Sequence, residues 1–229
     1  MATSTASAPT TFQQALAATA QHLASVLPPA AAHTIDGGIA AVAASGQASR
    51  VLQAGQAAPG FTLPSATAEL VGLAQLLQHG PVVVVFYRGN WCPYCNVQLR
   101  AYQQLLPELA QHGAALVAIS PQTPDFTSLT ASDKALTFPV LSDVGNVVAR
   151  QYGLAYEVGV EVADTLRSVG IDLGAHNGTA DDELPLTATF VIGTDGFIKW
   201  SWGEANFKHR ADPTEILAAL AQLSAPQPA

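Results

Sequence analysis

A chain of 229 residues that is 49% hydrophobic and only 11% charged can bury enough apolar surface to offset its ordering entropy, which excludes global disorder. A formal net charge of −8, with nine Lys and Arg spread along the chain, excludes the dense basic surface that nucleic acid or an anionic membrane requires. The amino terminus carries no Lys or Arg ahead of its apolar part, and no stretch reaches the roughly 18 uninterrupted apolar residues of a membrane helix, so a cytoplasmic protein is expected.

Met1 to Thr10 is Ala, Ser, Thr and Pro and is expected to be loose. Phe12 to Leu27 has helical spacing, with Thr10 or Thr11 as its cap and Pro28–Pro29 as its stop. A second helix is expected from Ile35 to Ala44. Residues 1–50 thus read as a helical extension, and residues 51–225 as one domain. In that domain Phe61 to Leu63 reads as a short strand and Val71 to Leu77 as a short helix. Val82 to Phe86 is an unbroken apolar, β-branched run, the pattern of a central parallel strand covered on both faces. A helix from Pro93 to Leu109, a buried strand from Ala114 to Ser120 and a helix from Pro124 to Ser132 follow. Phe138 to Leu141 reads as a strand and Val144 to Tyr152 as a helix. The Gly- and Asp-rich stretch Glu157 to Glu183 has weak periodicity and reads as an insertion or long loop. Thr189 to Ile192 and Phe197 to Trp202 are strands joined by Gly193-Thr194-Asp195-Gly196, strong hairpin chemistry. Pro213 to Leu223 closes the chain as a helix before a loose tail. Strands alternating with helices define an α/β layered fold. Lys208-His209-Arg210, the one short basic cluster, reads as a solvated turn.

Cys92 and Cys95 are the only cysteines. They lie in Trp91-Cys92-Pro93-Tyr94-Cys95, between the central strand and the following helix. Such a junction places Cys92 at the helix cap and Cys95 in the first turn, where unpaired N–H groups and the helix dipole stabilise a thiolate, the nucleophilic form. Pro93 suits the first helical position. One helical turn brings the two sulfurs to the same side, close enough for a disulfide after small adjustments. Arg88, four residues ahead of Cys92, offers a positive neighbour, and Trp91 a shield. Zinc would need further ligands, and neither a second Cys pair nor paired His spacing supplies them. An inert buried pair is the other plain reading. Redox chemistry fits best, provided both sulfurs can be reached.

Several blocks in order carry a resemblance. Gly55-Gln56-Ala57-Ala58-Pro59-Gly60-Phe61-Thr62-Leu63 is similar to the opening strand of the peroxiredoxin-like branch of the alkyl hydroperoxide reductase/thiol-specific antioxidant (AhpC/TSA) family, in the thioredoxin-like superfamily. Phe86-Tyr87, with Cys95 nine residues after Phe86, has the spacing of that family's peroxidatic cysteine. Phe138-Pro139-Val140-Leu141-Ser142-Asp143 with Val148-Ala149-Arg150-Gln151-Tyr152-Gly153 resembles its mid-domain, and Thr189-Phe190-Val191-Ile192 with Asp195-Gly196 its late hairpin. The resemblance implies a thioredoxin-like, three-layer α/β fold and a thiol peroxidase without a cofactor or metal. A thiolate would attack the hydroperoxide, a second thiol would resolve the sulfenic acid to a disulfide, and a thioredoxin-like dithiol would reduce it. A homodimer is the assembly it implies.

The family's pattern is incomplete here. Arg88 stands where its motif has Pro and Cys92 where it has the peroxide-binding Thr. Thr187 stands where a second motif has an activating Arg, three residues before Phe190. Arg88 and Arg150 are the candidates to supply that charge. In the peroxiredoxin frame Cys95 attacks and Cys92 resolves; in the thioredoxin frame the roles reverse. The first cysteine of a Cys-x-x-Cys is usually the more exposed, which favours Cys92. A thiol–disulfide oxidoreductase acting on protein or small-molecule disulfides, and a redox-sensing module, are the competing functions.

Overall fold

The structure is a computed structural model that describes residues 11–224; the ends expected to be loose, before Thr11 and after Ser224, lie outside those residues. Helix α1 (Phe12–Val26) starts at a capping box. The Thr11 hydroxyl accepts from the Gln14 N–H, and the Gln14 side chain accepts from the Thr11 N–H. Helix α2 (Pro29–Ala44) begins six residues ahead of the expected Ile35. Proline is preorganised for the first helical position, and the Ala-rich first turns carry no apolar periodicity to read. A 3-10 turn, Gln47–Arg50, leads into the remainder of the chain.

Strands β1 (Thr62–Pro64) and β2 (Leu70–Gly72) form a small hairpin, so the expected helix from Val71 shortens to α3 (Leu73–Leu77). Next come β3 (Val82–Phe86), α4 (Pro93–Gln111), β4 (Ala115–Ser120), α5 (Pro124–Asp133), β5 (Val140–Ser142) and α6 (Val147–Gln151). The chain continues through β6 (Ala155–Glu157), α7 (Val160–Ser168), α8 (Leu173–Asn177) and β7 (Glu183–Pro185) to β8 (Ala188–Ile192), β9 (Ile198–Gly203) and α9 (Pro213–Ser224).

The main sheet has the order β5-β4-β3-β8-β9. Its centre is β3, buried along its whole length, as its apolar run requires. The expectation of a parallel central strand holds on one side only: β3 runs parallel to β4 but antiparallel to β8. An apolar run reports burial on both faces and says nothing of neighbour direction. The period-two alternation then sorts the strand. Val83 and Val85 pack with Leu99, Tyr102 and Leu109 of α4 and with Ile216 and Leu220 of α9. Val82, Val84 and Phe86 face the opposite core, with Leu73, Val148 and Tyr152. Helices on both faces of one sheet make a three-layer α/β architecture.

The segment read as a loop, Glu157 to Glu183, is structured. Strands β6 and β7 pair antiparallel, and α7 and α8 bury Val158, Ala163, Leu166, Leu173 and Leu184 in a third cluster. Helices of nine and five residues bounded by glycines are too short to build a periodic signal.

Gly153 ties the amino-terminal segment to this framework. It follows α6 at φ +73°, with its N–H donated to the Arg150 carbonyl and the Leu154 N–H to the Ala149 carbonyl, a Schellman end. A Cβ there would stand 2.0 Å from the Arg50 carbonyl oxygen, and the Gly153 carbonyl itself accepts from Gln47. Gly153→Ala is expected to lower unfolding free energy by about 2 kcal/mol or more, from left-handed strain plus the clash. Urea denaturation checks this, and an unchanged midpoint would refute the tie.

Candidate active site

The main sheet delivers β3 directly to the cysteines. Tyr87 extends its pairing by donating to the Ile119 carbonyl at 3.0 Å. The loop that follows is clamped by Gln122, fully buried beyond β4. Its Oε1 accepts from the Asn90 N–H at 2.8 Å, and its Nε2 donates to Asn90 Oδ1 at 3.2 Å. Gly89, at φ +155°, leaves room for the Trp91 indole; a Cβ would lie 2.4 Å from Trp91 Nε1. Cys92 then caps α4 with extended backbone, and Pro93 takes the first helical position. Cys95 sits in the first turn, on the side facing Arg210. The strand–helix junction is as the sequence indicates.

Solvent exposure is not. Cys92 is 1% exposed and Cys95 0%, so exposure does not single out the first cysteine. The two sulfurs differ in their surroundings. Arg210 Nη2 donates to Cys95 Sγ at 3.3 Å. Arg210 Nη1 donates to Thr187 Oγ1 at 3.3 Å and to the His209 carbonyl at 2.6 Å. The backbone next to Arg210 is tied to the same helix: the Tyr102 hydroxyl donates to the Ala211 carbonyl at 2.9 Å, and Cys95 and Tyr102 are seven residues apart on α4.

Arg88 approaches from the other side. Its guanidinium carbon lies 3.8 Å from the Phe207 ring centroid and 4.8 Å from the Trp91 ring, a cation held against two aromatic faces. Among the described residues, neither Arg88 nor Arg210 has a carboxylate partner, and both are about 5% exposed or less.

These neighbours separate the two thiols. Burial alone would push Cys95 up; hydrogen bonding from the Cys92 thiol, the Arg210 charge, and the Arg88 backbone N–H and guanidinium outweigh it, and hold Cys95 well below the usual thiol range. Burial pushes Cys92 well above that range, helped by the hydrogen bond to Cys95 and by its charge; Arg88 and Arg210 only partly oppose this. The arrangement is a thiolate at Cys95 accepting from a thiol at Cys92.

Of the other expected residues, Arg88, Trp91 and Thr187 gather here. Thr187 contributes no charge; it is a fully buried hydroxyl that fixes Arg210. Arg150 is not brought to the cysteines. It is exposed on α6 and pairs with Glu183 at 2.7 Å. The charge assigned to it comes from Arg210, which the sequence reading left in a solvated turn. Lys208 and His209 do face outward, to Asp36 and Glu204 respectively, and only Arg210 turns in. The available signal was a rare basic residue of an acidic chain standing just past the late hairpin. Phe207, Gln122 and Tyr156, whose hydroxyl hydrogen-bonds Arg88, were also missed. Among the described residues, no three His, Cys, Asp or Glu side chains converge as a metal-binding group.

The fold and this junction define a thioredoxin-like protein of the peroxiredoxin type. Peroxidoxin BcpB of Mycobacterium tuberculosis superposes with a TM-score of 0.59 over 75% of this chain and 98% of its own, at 24% identity. The bacterioferritin comigratory protein of Xanthomonas campestris gives 0.57 over 72% and 92%, at 17% identity. Residues 54–201 match the AhpC/TSA family, and the chain belongs to it. In sequence, peroxiredoxin Bcp of Escherichia coli is 35% identical over 103 residues, which is 45% of this chain and 65% of that protein, just under two thirds of the relative's length. A Mycobacterium tuberculosis protein named as a peroxiredoxin is 31% identical over 147 residues, 64% of this chain and 82% of its own. No described helix is long and apolar enough to cross a membrane.

Because the Cys95 pKa is depressed, its thiolate survives as pH falls below the ordinary thiol range and is lost only when pH passes that lower value. Arg210→Met should move this loss upward, read from the ultraviolet thiolate band, while Arg150→Met leaves it in place. Cys92→Ser, which retains a hydroxyl donor, should keep Cys95 depressed, and Cys92→Ala should raise it. Identical titrations for all four variants would refute this electrostatic account.

Proposed function

We propose that the chain is a thiol-dependent peroxidase in which Cys95 attacks the hydroperoxide and Cys92 resolves the product. The observation that carries this is the guanidinium of Arg210 on Cys95 Sγ, with the Cys92 thiol donating to the same sulfur. This reverses the preference for Cys92 that exposure would give, since both sulfurs are equally buried.

In the first step the Cys95 thiolate attacks one peroxide oxygen. The O–O bond breaks, Cys95 becomes a sulfenic acid, and the departing alkoxide or hydroxide takes a proton. Arg210 and Arg88 offer donors where negative charge moves from sulfur to oxygen, and a buried site strengthens both interactions. In the second step the Cys92 sulfur, its proton released, attacks the sulfenic sulfur; water leaves and the Cys92–Cys95 disulfide forms. An external thiol then restores the dithiol, a thioredoxin-like dithiol being the reductant that family membership suggests. Thr187 is the positioning residue for Arg210, and Trp91 with Phe207 holds Arg88.

In this reading residues 1–50 are an extension and residues 51–225 the redox domain, with the described helix α1 packed on α4 and α2 on α7. A reducing, cytoplasmic setting and a homodimer complete the reading; they rest on family membership and composition.

Brief exposure to hydrogen peroxide with a sulfenic-acid trap should label Cys95 in the Cys92→Ser variant and leave Cys92 unlabelled in the Cys95→Ser variant, by mass spectrometry. Peroxide turnover should vanish in Cys95→Ser. Labelling of Cys92 alone would overturn the assignment of roles. Oxidation no faster than free cysteine, with brisk insulin reduction, would replace the peroxidase by a disulfide oxidoreductase.

A further inference from the structure

The two sulfurs do not share the same access. Cys92, and not Cys95, lines a cavity of about 1160 Å3. Its walls are apolar side chains of α1, α2 and α7, including Leu23, Leu27, Ile39 and Val162. Its floor is Arg88, Trp91, Cys92 and Phe207. The volume is that of a site for a small molecule of several hundred daltons. Both α1 and α2 lie outside the segment shared with the family, whereas α7, Arg88, Trp91 and Cys92 lie within it.

The chemistry of the floor selects the occupant. Arg88 is 4% exposed, and its Nε has no hydrogen-bond partner. Arg88, at the base of the cavity, has no carboxylate partner among the described residues, so the charge at the floor is positive. Of the carboxylates that line it, Asp36 is paired with Lys208 and Glu183 with Arg150, while Glu157 and Glu161 are exposed at its rim. A ligand reaching the floor therefore meets apolar walls, the Arg88 guanidinium and the Cys92 sulfur.

We propose that this cavity admits a low-molecular-weight thiol bearing a carboxylate, which reduces the enzyme's disulfide by attacking Cys92. The proposal rests on the peroxidase reading for the source of the disulfide. The incoming thiolate attacks Cys92 Sγ and forms a mixed disulfide. The Cys92–Cys95 bond breaks, and its electron pair leaves on Cys95, the sulfur that Arg210 stabilises as an anion. A second molecule of thiol attacks the sulfur of the first, releasing Cys92, which takes a proton. Two thiols are thus oxidised to one small disulfide as the protein disulfide is reduced to a dithiol. Attack in the other sense would expel the less stabilised Cys92.

The full chain is oxidised in two ways, with hydrogen peroxide and with diamide, and its reduction is followed by Trp fluorescence with glutathione, cysteamine or thioredoxin. The expected result is saturable reduction by glutathione, faster than by the cationic cysteamine. Quenching with iodoacetamide should give glutathione on Cys92 and the alkyl group on Cys95. Ile39→Trp and Val42→Trp, which fill the chamber from α2, should slow the glutathione step about tenfold or more relative to the oxidation step of the same variant. Glutathione on Cys95, unsaturable kinetics, or thioredoxin acting faster than glutathione and equally in both filled variants would overturn the proposal. Failure of hydrogen peroxide to form the disulfide would sink the peroxidase reading instead, and the diamide-oxidised protein would still test the cavity.

Discussion

The contact between Arg210 and Cys95 is the constraint on which the site depends. A guanidinium that is 5% exposed and lacks a carboxylate among the described residues is costly unless an anion meets it. Of the two thiols beside it, Arg210 points at that of Cys95. The buried cation therefore favours the thiolate form of Cys95. Removing one partner from such a buried pair typically costs about 3–5 kcal/mol. Thr187, the His209 carbonyl and the Tyr102–Ala211 hydrogen bond keep the cation from relaxing toward solvent.

From this follows the unequal treatment of two residues one turn apart. The helix N-terminus favours negative charge at either, so the dipole alone cannot choose. The choice is made by elements remote in sequence. The segment between β9 and α9 brings Arg210 to Cys95, while α1, α2 and α7 leave a chamber against Cys92. Cys92 becomes a hydrogen-bond donor to its neighbour, which stabilises the thiolate and holds the second sulfur where a sulfenic acid would form. Burial of both keeps water from competing for those interactions.

How much of this was legible in the sequence depends on whether the signal was local. Val82–Phe86 announced itself through an apolar run, the Gly193–Gly196 turn through its residues, and the Cys92-Pro93 start of α4 through capping chemistry. These are decided by neighbours in the chain. The start of α2 and the elements between Glu157 and Glu183 were hidden, because Ala-rich or glycine-bounded helices of few turns carry little periodicity. The direction of β8 against β3 was hidden because burial is blind to direction. Arg210 was hidden for a further reason: Lys208-His209-Arg210 is polar, and two of its members are solvated. Only tertiary packing turns the third inward.

Thr187 shows how that non-local term resolves a local departure. The family resemblance places an activating arginine three residues before Phe190, and its loss there implies a weakened thiolate. Yet the requirement is a positive charge at hydrogen-bonding distance from sulfur, not a charge on a particular strand. Thr187 is small enough to leave the volume that a longer side chain would fill, and its hydroxyl accepts from the arginine that occupies it. A guanidinium supplied from beyond β9 exerts the same Coulombic pull as one supplied from β8. It differs in being tethered to α4 through Ala211 and Tyr102, the helix that also carries Cys95. With Thr187 holding the same guanidinium from beside β8, the charge is fixed both to the helix that carries Cys95 and to the sheet on which that helix packs.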